Sequence, residues 1–136
     1  MTLFLTGSPC KKGENHFTEE CNFLGELRSR LPQNPRVLLV SAAPDDPDNC
    51  RWVYGSTCEC LVNSGIECSS VTMLERKNAA LAAELVEGAD LVMLCGGHVP
   101  TQNRFFHEIG LKAILSRYYE LEKYLVGNLV QYAHET

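Results

Sequence analysis

Two short apolar runs, Val37-Leu38-Leu39-Val40 and Leu91-Val92-Met93-Leu94-Cys95, constrain the fold of this chain more than any other feature. A strand with one wet face alternates apolar and polar residues, whereas an unbroken apolar run of this length fits a strand covered on both faces. Such strands belong to parallel sheets, which need helical crossovers between them.

The intervening segments carry the helical period. From Thr18, residues Cys21, Phe23, Leu24, Leu27 and Leu31 recur at spacings of three and four, and Leu31-Pro32 ends the helix. Trp52, Tyr54, Cys58, Leu61 and Val62 give a second stripe that stops at Gly65. Asn78 caps a third helix carrying Leu81, Leu85 and Val86, with Gly88 just past its end. A fourth helix is expected from Pro100 to about Tyr119, with Phe105, Ile109, Leu111, Ile114 and Leu115 inward. The strands are Leu3-Phe4-Leu5-Thr6, Arg36 to Ser41, Ile66 to Met73 and Asp90 to Cys95, so strand and helix alternate four times. The expected fold is α/β, a three-layer open parallel sheet of flavodoxin-like type, which binds ligands beyond the carboxyl ends of its strands. That edge comprises Gly7 to Cys10, Ser41 to Asp46 and Cys95 to Asn103.

Composition narrows the function. A chain of 136 residues, 45% apolar and 21% charged, fits one ordinary globular domain. The net charge is -5, and Lys11, Arg28, Arg36, Arg76 and Arg117 are scattered, so nucleic acid is not an expected partner. No apolar run approaches the roughly 20 residues of a membrane span, and no basic stretch followed by an apolar one opens the chain, so a cytoplasmic protein is expected. The seven cysteines then read as reduced thiols. Cys58-x-Cys60 looks like half a metal site, but residues two apart on a helix do not share a face, and no metal or cofactor is expected.

The chemistry concentrates in the loop after the fourth strand. Gly96-Gly97 allows a sharp exit whose exposed N–H groups suit an oxyanion, and the following helix adds its positive dipole end. The plainer reading is a turn that needs positive φ. Cys95 beside His98 offers a cysteine–histidine dyad, set against a buried, inert thiol at a strand end. His107 and His134 lack a partner at a telling spacing and read as surface or partly packed residues. Asp45, Asp46 and Asp48 read as turn chemistry before a cation site, and Ser8 and Ser41 as turn hydrogen bonding, since neither lies in a Gly-x-Ser-x-Gly elbow. Trp52 and Tyr54 are expected to pack or to flank the cleft.

The run Leu94-Cys95-Gly96-Gly97-His98-Val99-Pro100-Thr101-Gln102-Asn103-Arg104-Phe105-Phe106, with Ile109-Gly110-Leu111 behind it, resembles the dipeptidase E (aspartyl dipeptidase) family of serine peptidases. Met1-Thr2-Leu3-Phe4-Leu5-Thr6-Gly7-Ser8-Pro9 and Ser41-Ala42-Ala43-Pro44-Asp45-Asp46 carry the same likeness, which covers residues 1 to about 117. The resemblance implies the class I glutamine-amidotransferase-like fold and hydrolysis of aspartyl dipeptides by a serine, a histidine base and an acid. It places Gly96 and Gly97 in the oxyanion hole, with His98, Thr101, Gln102 and Asn103 lining the substrate cleft. The family continues from this helix into an apolar strand ending in Gly-x-Ser-Ala-Gly. This chain instead runs through a divergent tail, residues 118–136, with no serine after Ser116. The expectation is a truncated, inactive chain of peptidase ancestry that binds a small peptide and self-associates through an uncovered sheet edge. A non-enzymatic binding or assembly module and a Cys95-dependent hydrolase are the alternatives. Leu121 to Val130 is apolar enough to serve as a substitute strand or a short helix.

Overall fold

A computed structural model of the chain describes residues 3–5, 23–120 and 124–127. Strands β1 (Leu3–Leu5), β2 (Arg36–Val40), β3 (Ser70–Leu74), β4 (Leu91–Leu94) and β5 (Tyr124–Gly127) form one sheet in the order β1-β5-β4-β2-β3. Every pairing is parallel, with Val37 opposite Val71 and Leu91, and Leu125 opposite Val92 and Leu3. The tail beginning at residue 118 thus contains the last turn of one helix and a fifth strand, seated between β4 and β1.

Alternate residues of the central strands feed two cores, as a period of two requires. Leu38, Val40, Val92 and Leu94 pack with Ala82, Val86, Phe105, Phe106, Leu111 and Leu115, which come from α3 (Ala82–Gly88), α4 (Val99–Glu108) and α5 (Leu111–Glu120). Val37, Leu39, Leu91 and Met93 pack on the other face with Leu27, Cys50, Cys60 and Leu61, from α1 (Phe23–Arg30) and α2 (Pro47–Asn63). The architecture is therefore α/β with a parallel sheet between two helical layers. Among the described residues no helix is long and apolar enough to cross a membrane.

Four expectations change in detail. The second helix buries Cys50, Cys60 and Leu61 with Val53 against them, while Trp52 is 71% and Val62 72% exposed, so the aromatic stripe faces outward. The third strand starts at Ser70, because the Ile66 N–H is already bonded to Leu61 O at the end of α2. The third helix opens as a 3-10 turn, Arg76–Leu81, in which Asn78 Oδ1 accepts the Glu75 N–H (2.8 Å) from inside the first turn. The long helix from Pro100 is two helices, broken where Gly110 takes φ 68° and its N–H bonds His107 O. The expectations on Gly7 to Cys10, Ser8, Thr18, Cys21 and His134 lie outside the described residues.

Candidate functional site

From β2 the chain crosses to β3 on one side and, later, to β4 on the other, so the strand order reverses between β2 and β4. The loop after β2 leads to α2 on one face of the sheet and the loop after β4 to α4 on the opposite face. In open α/β sheets, ligands bind at the carboxyl edge where loops part in this way. The Cys95 N–H bonds Val40 O and the Ser41 N–H bonds Leu74 O (both 3.0 Å), which carries the ladder one residue into each loop.

The loop after β2 is fixed from within. Ser41 is buried, its Oγ accepts the Ala43 N–H (3.0 Å) and lies 3.3 Å from Cys50 Sγ, and that thiol donates to Ala43 O (3.4 Å). The loop so folded brings Ala42 against the loop after β4, where a Cβ on Gly97 would stand 2.9 Å from Ala42 Cβ. No side chain fits there without parting the loops. This corrects the expectation of positive φ: among the described glycines Gly65 and Gly110 have it, and Gly97 is required by close approach.

Beyond Gly97, His98 caps α4 in an extended conformation and Pro100 occupies its first turn, where a missing N–H costs nothing. His98 Nδ1 lies 2.8 Å from Thr101 Oγ1, so the exposed imidazole is tied to its own helix. Gly96, Gly97 and His98 are exposed at the loop with Thr101 beside them. Gln102 is fully buried and its Nε2 donates to the Cys95 carbonyl, while Gln102 Oε1 and Asn103 Oδ1 are buried acceptors without a partner.

The Cys95 thiol packs on the α1/α2 side of the sheet. Burial there, with the Cys50 thiol next to it, pushes its pKa up to about 12, so it stays protonated at neutral pH. The described cysteines 50, 58, 60, 68 and 95 are all free thiols, and burial raises Cys50 and Cys68 as well. Cys60 is fully buried and Cys58 half-buried, on different sides of α2.

The acidic loop is occupied by structure. Asp46 Oδ1 accepts the Asn49 N–H (3.1 Å) as the cap of α2, and Asp48 pairs with Arg51. Asp45 receives both Nε (2.8 Å) and Nη2 (3.2 Å) of Arg76, whose guanidinium holds the carboxyl below its ordinary range. Arg76 also pairs with Glu108, lies 5.3 Å from the Phe105 ring centre and donates its backbone N–H to Pro44 O. It thereby fastens the loop after β2 to α4. Neither Arg76 nor Ala42 stood out in the sequence, because their partners lie tens of residues away. Among the described residues no three His, Cys, Asp or Glu side chains gather as a metal site.

A cavity of about 520 Å3 runs beside β3, lined by Tyr54, Val71, Met73 and Lys77, and contains no residue of the Cys95–Asn103 segment. The fold and the contact between Ala42 and Gly97 define a class, an open parallel α/β domain whose two exit loops meet at a strand-order reversal. Comparison of the chain with protein-family models, curated proteins and solved structures found no match.

Proposed function

We propose that this chain is a dipeptidase E-like domain of the class I glutamine-amidotransferase-like type, whose crevice holds a small peptide through a carboxylate or carbonyl oxygen but does not cleave it. The observation that carries this reading is the Gly96-Gly97 exit at the strand-order reversal, with the N-terminus of α4 directly behind it. Backbone N–H groups at such a turn accept negative charge, and Thr101 adds a hydroxyl beside His98.

Absence of cleavage follows from the chemistry. In chain order β5 takes the place of the strand that in the family ends in Gly-x-Ser-Ala-Gly. Here Tyr124-Leu125-Val126-Gly127 is followed by Asn128 and Leu129, so no serine stands at the turn after β5. A hole that stabilises an oxyanion accelerates nothing until a nucleophile has attacked, and losing triad members removes about a millionfold in rate. The thiol at Cys95 is a poor substitute, because burial keeps it protonated. Titration of an aspartyl dipeptide should shift the Gly96, Gly97 and Thr101 amide resonances, with no product in a parallel hydrolysis assay. Shifts confined to other residues, or turnover by the purified chain, would refute the reading.

A second reading, a self-associating module, is favoured by the position of β3 as the outer strand of the described sheet. Ser70-Val71-Thr72-Met73-Leu74 contains no charge or proline to discourage strand addition. Tyr54 is exposed on α2 and lines a cavity with Val71, Thr72 and Met73 of that strand.

A further inference from the structure

We infer that Gln102 is a positioning residue for the oxyanion loop: by holding the Cys95 carbonyl it sets the direction of the Gly96 N–H. This rests on the reading of Gly96 and Gly97 as the donors of the crevice. Side chains on a helix lean toward its N-terminus, so Gln102, fixed by its own N–H bond to His98 O (3.0 Å), reaches back past the start of α4 to the end of β4. There its Nε2 donates to the carbonyl oxygen of Cys95.

A trans peptide unit is planar, with its C=O and N–H pointing in opposite directions. The described chain contains no cis peptide, so drawing the Cys95 carbonyl toward α4 turns the Gly96 N–H away from it, on the exposed side of the loop. Glycine at this position would otherwise allow the peptide plane to rotate. The orientation of the amide is not arbitrary: reversed, it would set two acceptor oxygens against each other. Its cost is visible in the same group, since Gln102 Oε1 is left buried without a partner, which a leucine or methionine of similar volume would avoid. A glutamine in this core is explained by the bond to Cys95 and by what that bond orients.

The experiment is heteronuclear NMR on the full chain. In wild-type protein a scalar coupling should be seen across the hydrogen bond, between Gln102 15Nε2 and the Cys95 carbonyl 13C. In Gln102→Met, which keeps the volume and removes the donor, the Gly96 amide resonance should move while the resonances of the Leu38 and Val92 methyls stay in place. Affinity for an aspartyl dipeptide should fall about tenfold, the equivalent of one lost hydrogen bond. A missing coupling, or an unmoved Gly96 resonance in the folded variant, overturns the assignment. Should Gln102→Met not fold, the wild-type coupling alone decides. Should wild-type protein bind no dipeptide, the functional reading fails, and the coupling and the Gly96 resonance still judge Gln102.

Discussion

A methyl group separates the two exit loops. Ala42 Cβ is fixed to its backbone and cannot rotate aside, so Gly97→Ala must part the loops, at a cost of about 1–3 kcal/mol. Ala42→Gly removes the obstacle, and the double variant should recover much of that loss. Denaturant unfolding of the four proteins in the cycle should give a coupling of about 1 kcal/mol or more, and strict additivity would show that the contact is absent. Cys95 offers a second test. Its folded-state pKa of about 12 lies above the ordinary 9.0, so the associated stability is fully present below pH 9 and is lost as pH rises toward 12. Near neutral pH the native thiol should carry roughly a thousandfold less thiolate than an ordinary cysteine, and alkylation followed by mass spectrometry should find it modified only after denaturation. At this scale the sequence was partly legible. The loop was evident from Gly96-Gly97 after an apolar run, but the reason for Gly97 was not, because its constraint comes from a residue 55 positions earlier.

Helix ends show why some element boundaries were readable. After α2 the Ile66 N–H bonds Leu61 O (2.9 Å) and the Gly65 N–H bonds Val62 O (3.0 Å), with Gly65 at φ 77° and Leu61 and Ile66 buried together. This is a glycine-terminated double closure, and the sequence signal at Gly65 was sufficient to place it. Gly110 likewise ends α4 with positive φ and its N–H on His107 O, yet a single glycine inside a continuous apolar period reads equally well as a tolerated interruption. Space is open around Gly110, so Gly110→Ala should lose only conformational energy, about 1–2 kcal/mol, with no change in the packing of Phe105 and Leu111. A thermal transition unchanged by this substitution would mean that α4 and α5 can merge. The inward face of α2 differs from the stripe Trp52, Tyr54, Cys58, Leu61 and Val62, of which only Leu61 is fully buried. Its inward stripe joins Leu61 to the small residues Cys50, Val53 and Cys60, while Trp52 stands in solvent.

For the molecule as a whole, the central strands were legible from their unbroken apolar runs, but their lateral order was not. Order depends on which crossover passes over which face, and no local pattern encodes that choice. Among the described residues the sheet ends on one side at β3, and self-association through that edge should appear in sedimentation velocity at roughly tens of micromolar, a range in which exposed apolar patches associate. Thr72→Lys, which places a charge on the open edge, should return the protein to monomer, and a clean monomer for the wild type would exclude this mode. The opposite side has a consequence in time. Strand β1 pairs with β5, and β5 in turn joins it to β4. A ribosome delivers residues 3–5 first and residues 124–127 more than a hundred residues later, at about 5–20 residues per second. For those several seconds β1 waits for β5, the strand it pairs with, while β2, β3 and β4 can already assemble behind it.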